Sequence, residues 1–183
     1  ADALEDPDWE VRKAALRTVS KFGAAASPTS HMMVTLLADL DAPSSVQEAA
    51  SAALGNLGPH AAAAVPHLIS LFKHGKVRVR IEAVRALGNM GMADEPVLAE
   101  MVQLLKDRNE YVQSAAAEVL GQLGKSAVPA LPQILELLES SEASVRKGAA
   151  QALGELGAAA SHSIPKLLPL LSDPDAGVRD RAA

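Results

Sequence analysis

The sequence predicts an all-α protein, a right-handed solenoid of stacked antiparallel helix pairs, and three observations carry this prediction. A valine anchor recurs at intervals of 35, 33, 33, 33 and 33 residues, and a fixed period of this length is typical of stacked supersecondary units. Apolar or small residues follow each of the first five anchors at four, eight and eleven positions, the spacing of one buried helical stripe. A glycine then ends the stripe every time. The anchors are Val11, Val46, Val79, Val112, Val145 and Val178.

Each period contains two helices, which we call the first and the second helix of a repeat. The first helix is expected to end at the recurrent glycine, because glycine takes the left-handed conformation without a Cβ penalty. In the first repeat its buried stripe is predicted to be Ala15, Val19 and Phe22. The terminal glycines are Gly23, Gly58, Gly91, Gly124 and Gly157.

The second helix ends in a paired apolar step, and in three repeats a proline stands near its start, where the missing N–H is not needed. Pro169 falls four residues after Pro165, so we expect that helix to begin late or to kink. The prolines near the start are Pro66, Pro132 and Pro165, and the apolar pairs are Leu36-Leu37, Leu71-Phe72, Leu104-Leu105, Leu137-Leu138 and Leu170-Leu171.

A further glycine lies inside the first helix of four repeats, although glycine costs about 1 kcal/mol there relative to alanine. Its recurrence predicts close approach of a neighbouring backbone. The first repeat has Ser20 instead and carries two extra residues in the connection 38–45, which predicts irregular stacking between the first two repeats. The internal glycines are Gly55, Gly88, Gly121 and Gly154.

The period divides the chain into a single repeat array. Its ends look like a second helix without its body and a first helix cut short, and neither is a polar capping repeat. We therefore expect the chain to be part of a longer polypeptide. The predicted segments are 1–6 (end of a preceding repeat), repeats 7–41, 42–74, 75–107, 108–140 and 141–173, and 174–183 (start of a truncated repeat).

Composition and motifs argue against several classes of function. With 17 Lys+Arg against 22 Asp+Glu, the net charge of −5 opposes general binding to nucleic acid. The sequence has no cysteine, no apolar run of about 20 residues and no targeting segment, so it predicts a soluble protein, which we place in the cytoplasm. The five histidines lack metal-ligand spacing, and Gly121–Ser126 resembles only the end of a phosphate-binding loop. We expect no catalytic residue, metal or cofactor.

The repeated residues resemble the HEAT repeat family, in the short Ala/Gly-rich form found in phycobilisome lyases. The features that carry the resemblance are Asp-Pro before the first helix, Val-Arg at its start, Ala-Leu-Gly-x-Leu-Gly at its end, Val/Ile-Pro into the second helix and Leu-Leu closing it. The resemblance covers the whole chain. It implies an α-solenoid, and it leaves function open because such repeats serve as many kinds of binding platform.

The resemblance also implies a structural ladder, in which an Asp and an Arg six residues later link neighbouring repeats along the inner loops. Only the first and last matching pairs keep both residue types, so we expect a ladder weaker in charge at its middle. The matching pairs are Asp6/Arg12, Asp41/Gln47, His74/Arg80, Asp107/Gln113, Ser140/Arg146 and Asp173/Arg179.

The family places the second helices on the concave side, and their exposed ridge is the predicted partner-binding surface. Residues there differ between repeats while buried ones agree, as a partner-specific groove would require, although unselected drift gives the same pattern. Four residues before each apolar pair stand Met32, His67, Glu100, Gln133 and Lys166, and one residue before it stand Thr35, Ser70, Gln103, Glu136 and Pro169.

The function that best fits these observations is a non-enzymatic scaffold that binds a protein or peptide on this ridge, without nucleic acid or membrane. One alternative is an accessory or lyase-like subunit acting on a pigment or other small molecule, which needs pocket walls that a sequence with 2% aromatic residues does not suggest. The other alternative is a structural spacer within a larger repeat protein.

Overall fold

The computed structural model describes residues 2–183, and every regular element in that range is helical, which confirms the all-α prediction. The α-helices alternate between first and second helices of successive pairs, and short 3-10 segments join or extend several of them. The α-helices are α1 (Trp9–Val19), α2 (Ser30–Ala38), α3 (Ser44–Leu57), α4 (Val65–Ser70), α5 (Val77–Asn89), α6 (Glu95–Leu104), α7 (Glu110–Leu123), α8 (Leu131–Leu137), α9 (Ala143–Leu156), α10 (Ile164–Leu167) and α11 (Ala176–Ala182).

Four of the five first helices end at or just before the recurrent glycine, as the sequence predicts, whereas α1 ends at Val19, four residues before Gly23. All five terminal glycines have a positive φ, from 51° at Gly157 to 70° at Gly91. After α3, α7 and α9 this glycine opens a seven-residue 3-10 segment that leads into the second helix. In the left-handed region a side chain at the turn would be strained, so glycine is required there.

Proline marks the starts of the second helices. Pro66, Pro132 and Pro165 each lie in the first turn of their helix, as expected. Pro169 interrupts the last of them: α10 ends at Leu167, and a 3-10 segment, Leu168–Ser172, follows with Pro169 in its first turn. Because proline offers no N–H and its ring crowds the preceding turn, the α-helix stops just before it.

The chain divides into two compact units, the first ending at Met92 and the second beginning at Ala93. This division falls inside the repeat predicted at 75–107, between its two helices, and the repeat boundaries stay a prediction. Each unit has an interior of fully buried large apolar side chains, and each buried leucine contributes about 2 kcal/mol. Examples are Leu16, Met33, Leu37, Leu54, Leu57, Leu68, Leu87 and Met90 in the first unit, and Leu98, Met101, Leu105 and Leu120 in the second.

The valine anchors are buried in every repeat but the first. Val11 is 39% exposed, and Phe22, which the sequence predicts to be buried, is 64% exposed. Phe22 is exposed because α1 has 11 residues where α3, α7 and α9 have 14. The helix ends before Phe22, which lies in the following 3-10 segment and leaves the buried stripe.

Close approach at the internal glycines is confirmed at two positions. A Cβ built on Gly55 would lie 2.5 Å from the Cβ of Asn89, and one on Gly121 would lie 2.9 Å from the backbone carbonyl carbon of Glu155. Neither separation is found between real side chains and their neighbours. The prediction is wrong at Gly154, where an added Cβ would meet nothing within 4 Å.

Candidate functional site

In the first unit, the second helices α2 and α4 present four of the predicted ridge residues. Thr35 on α2 and His67 and Ser70 on α4 are exposed, and Met32 on α2 is half-buried. Thr35, His67 and Ser70 lie together on the wall of one cavity of about 550 Å³, to which His31 also contributes. We call this cavity the α2/α4 groove.

The hydroxyl groups of the α2/α4 groove are bonded within their own helices. Thr35 Oγ1 donates to the His31 carbonyl at 3.1 Å, and Ser70 Oγ donates to the His67 carbonyl at 2.6 Å. The Nδ1 of His31 lies 3.1 Å from the carbonyl oxygen of Pro28. The groove therefore offers a partner the imidazoles of His31 and His67, the carboxylate of Asp39 and the apolar surface between them.

Two further groove residues, His31 and Asp39, were not predicted. Both line the α2/α4 groove and also a second cavity of about 240 Å³, which they share with Met32 and Thr35. His31 precedes Thr35 by four residues and Asp39 follows it by four, so all three lie on one helical face. Extending the helical spacing from Thr35 in both directions would have found them.

In the second unit the ridge residues are more dispersed. Glu100 and Gln133 are half-buried, whereas Gln103, Glu136 and Lys166 are exposed. Glu136 alone among these five lines a described cavity, one of about 380 Å³. Its other walls include the side chains of Lys106, Ser140, Glu139 and Glu142.

That cavity is acidic, with three glutamates against one lysine among the residues that line it. Lys166 donates to Glu139 at 3.3 Å, but both side chains are well exposed, so the pair contributes little to stability.

The ladder residues hold the loops between repeats through backbone carbonyls. In each case the side chain on a first helix donates to a carbonyl oxygen of the preceding loop, and five of these bonds are 2.6 to 2.9 Å long. The pairs are Arg12–Asp6, Gln47–Asp39, Arg80–His74, Gln113–Asp107, Arg146–Ser140 and Arg179–Asp173.

Asp39 occupies the ladder position for which Asp41 was predicted. Asp39 accepts the N–H of Asp41 through Oδ1 at 2.9 Å, the same turn that Asp107 and Asp173 make with the residue two positions on. The prediction counted backwards from Val46 across the two inserted residues. Counting forwards from the apolar pair that closes the second helix gives the correct position, because the spacing between that pair and the turn residue is the same in every repeat.

The His and Ser substitutions in the ladder preserve the turn. His74 accepts the N–H of Lys76 through Nδ1 at 3.2 Å, and Ser140 accepts the N–H of Glu142 through Oγ at 3.2 Å. The turn needs an acceptor two residues before the N–H, and neither a charge nor a carboxylate is required for that.

One ladder arginine also makes an ion pair with the next loop. Arg146 donates to both carboxylate oxygens of Asp173 at 2.8 Å, a bidentate arrangement in which Asp173 is buried. The hydrogen bond from Arg146 lowers the pKa of Asp173, and the same bond raises the pKa of Arg146. The pair links the loop before α9 to the loop before α11.

Neither a metal-binding cluster nor a membrane-spanning helix is found among the described residues. Across 2–183 no group of three or more His, Asp or Glu side chains is placed to hold a metal ion. None of the helices in that range is long and apolar enough to cross a bilayer.

Arrays of helix pairs with this spacing, these glycine termini and this loop ladder define the α-solenoid repeat proteins, and comparison with known families agrees. The family profile described as "HEAT repeats" matches residues 33–103 and 98–183, and the profile "HEAT repeat" matches residues 1–25. The chain belongs to the HEAT repeat family. No curated protein sequence gives a significant match.

Solved structures share the fold across the whole chain. An engineered protein from a structural genomics consortium is 25% identical with a TM-score of 0.56, covering 99% of this chain and 91% of its own. The CpcE–CpcF complex of phycocyanin lyase from Nostoc sp. PCC7120 is 24% identical, with a TM-score of 0.57 and coverage of 99% and 72%. A computationally designed armadillo repeat protein for modular peptide recognition is 23% identical, with a TM-score of 0.51 and coverage of 99% and 94%.

Proposed function

We propose that this HEAT repeat chain is a non-catalytic scaffold that binds a peptide or an exposed segment of a folded protein on its second helices. The observation that carries the proposal is the α2/α4 groove. It brings Thr35, His67 and Ser70 from two successive repeats onto the wall of one open groove with a volume of about 550 Å³. Residues 32 or more positions apart in the sequence thus act as one recognition surface.

The chemistry of the groove suits a peptide. Its floor contains the side chains of Val34, Ala38 and Leu71, and its rim carries imidazole, hydroxyl and carboxylate groups. An apolar floor with a few polar groups at its edge is the usual composition of a binding groove. The hydroxyls are already bonded within their helices, so binding need not leave them unsatisfied.

The relatives in structure support this class of function without deciding the partner. HEAT and armadillo folds are typically non-catalytic, and one similar structure was designed for peptide recognition. The similarity to a phycocyanin lyase complex keeps a lyase-like subunit as the alternative. The second-unit cavity lined by Glu136, Glu139 and Glu142 is strongly acidic, which favours a cationic partner there over a pigment with carboxylate groups.

The proposal is tested by selecting partners and mapping them. A displayed library of random twelve-residue peptides is selected on the immobilised chain, and each selected peptide is titrated against His67→Ala/Ser70→Ala. Loss of the side chains that line the groove should weaken binding about tenfold, the effect of removing one or two well-placed contacts. The matched control is Glu118→Ala/Gln122→Ala, which changes two exposed residues of the first helix α7.

The outcomes separate the candidate functions. If the affinity of the selected peptides fell only for the control variant, binding on the second helices would be contradicted. A selection that enriches no peptide favours the structural spacer. A purified chain that carries a visible absorption band would instead favour the lyase-like alternative.

A further inference from the structure

The first unit has a second groove, which lies between its first helices α1 and α3 and not between its second helices. Its volume is about 510 Å³, and its walls include Arg17 and Lys21 on one side and Ala49, Ala52 and Asn56 on the other. We call it the α1/α3 groove. It shares no lining residue with the α2/α4 groove.

The α1/α3 groove lies at a repeat position where a serine replaces a glycine. Ser20 stands at the repeat position that Gly55 and Gly121 occupy in later first helices. At those glycines the neighbouring helix comes so near that a Cβ could not be accommodated. Ser20 has a Cβ at this position, and the amide of Asn56 on α3 donates to Ser20 Oγ at 3.4 Å.

The groove carries two cations that the protein does not neutralise. Within residues 2–183, neither Arg17 nor Lys21 forms an ion pair or a side-chain hydrogen bond. The one carboxylate on the wall, Glu48, is bound by Arg78, and that arginine also meets the buried Glu82 at 3.2 Å. The groove therefore has a local excess of positive charge, although the chain has a net charge of −5.

The floor of the groove is smooth. Ala49, Ala52 and Ala53 present only methyl groups along α3, so an extended backbone can lie against them without displacing a side chain. Asn56 has an amide at the end of this floor that can bond a peptide group.

We propose that the α1/α3 groove binds an acidic peptide segment, with its carboxylates on Arg17 and Lys21 and its backbone on the alanine floor. Charge complementarity selects an anionic occupant. The alanine floor favours a peptide over nucleic acid, because a phosphate backbone needs a continuous basic track and gains nothing from methyl groups.

The test uses a fluorescein-labelled peptide that alternates glutamate and alanine, and a matched peptide with glutamine at every glutamate position. Fluorescence anisotropy with the full chain should give at least about fivefold tighter binding of the glutamate peptide, with the difference falling as salt is raised. Arg17→Gln/Lys21→Gln should weaken the glutamate peptide about tenfold. Ala52→Leu keeps both charges, places bulk on the exposed floor and should also weaken binding.

The control is Lys125→Gln/Arg181→Gln, which removes two positive charges from exposed sites of the second unit. It should change the affinity by less than about twofold. Thermal melts by circular dichroism verify that each variant is folded. His67→Ala/Ser70→Ala should leave this binding unchanged, so failure here is distinguishable from failure of the second-helix proposal.

Three results would overturn the proposal. The first is equal affinity for the glutamate and glutamine peptides. The second is an equal loss of affinity in the control and groove charge variants. The third is tighter binding of a single-stranded oligonucleotide of the same charge than of the glutamate peptide.

Discussion

The helix pair α1/α3 in the first unit and the pair α7/α9 in the second are built from the same repeat pattern, yet one is open and the other is closed. Against α9, Gly121 lies so near Glu155 that no Cβ fits. Between α1 and α3, Ser20 accepts a hydrogen bond from the amide of Asn56, and a groove of about 510 Å³ lies between the two helices. The two pairs thus differ at this repeat position, and only the first pair has a groove there.

The difference belongs to the first helix pair and not to the unit as a whole. Within the first unit, α3 and α5 are also closely packed, with Gly55 against Asn89. The first helix α1 is also three residues shorter than α3, so the first pair lacks both the small residue and the last turn of helix. Three glycine substitutions test this comparison and an aspartate substitution tests the ion pair of the second unit, taken from the largest expected effect to the smallest.

Gly121→Ala should destabilise the protein by about 2 kcal/mol. The new methyl group would collide with the backbone and Cβ of Glu155, and the overpacking penalty exceeds the gain in helix propensity of about 1 kcal/mol. Urea unfolding followed by circular dichroism gives the change in the free energy of unfolding. Unchanged or increased stability would contradict close packing of α7 on α9.

Gly55→Ala should destabilise by about 1 kcal/mol, less than Gly121→Ala. Its methyl group would meet Asn89, but only at the Cβ of an exposed side chain, with the next atom at 3.4 Å. The helix α5 can therefore shift by less to accommodate it. If the two variants were equally destabilised, contact with backbone at Gly121 would not be the deciding feature.

Asp173→Asn should remove a pH-dependent part of the stability of the second unit. Because the pKa of Asp173 is lowered in the folded state, its ion pair with Arg146 stabilises the protein fully above the ordinary aspartate pKa. This contribution is lost as the pH falls through the lowered folded-state pKa. The stability difference between wild type and variant should therefore be constant from pH 7 down to about pH 4 and shrink below it.

Urea unfolding over that pH range measures this difference, with Asp180→Asn as the control. Asp180 is an exposed residue of α11. A stability difference that stays constant into strong acid would show that the Asp173 carboxylate does not stabilise the folded state through its charge.

Gly154→Ala should stabilise the protein by roughly 0.5 to 1 kcal/mol. The position is equivalent to Gly121 in the repeat, but nothing lies within 4 Å of an added Cβ, so only the gain in helix propensity remains. The opposite signs expected for Gly121→Ala and Gly154→Ala isolate the contribution of the neighbouring helix. Destabilisation of Gly154→Ala would mean that the backbone there requires glycine for another reason.

Much of the fold could be predicted from residues that each repeat has in common. The glycine termini, the prolines of the second helices and the buried valine anchors follow local rules of helix formation, so sequence is sufficient for them. Phe22 was misplaced because the length of α1 depends on how its last turn packs. The ladder position was predicted at Asp41 instead of Asp39 because the two inserted residues can be placed on either side of it until the loop structure is known.

The candidate sites could also be predicted only in part from the sequence. Helical spacing placed Thr35, His67 and Ser70 on exposed faces, but it did not reveal that they share a groove with His31 and Asp39. The α1/α3 groove was not predicted at all, although Ser20 was recognised as an exception. The sequence contains a serine where glycine is usual, and only the tertiary structure shows that a groove lies beside it.

By itself the sequence determined the helical character, the period and the family of this protein, because period and helix termini depend on residues that are neighbours in the chain. Tertiary structure decided which glycines are required, which ladder carboxylate meets an arginine, and where the surface opens. Those properties depend on the distances in space between helices that are about 34 positions apart in the sequence, as Gly121 and Glu155 are. Such distances are set only when the side chains of both helices pack together.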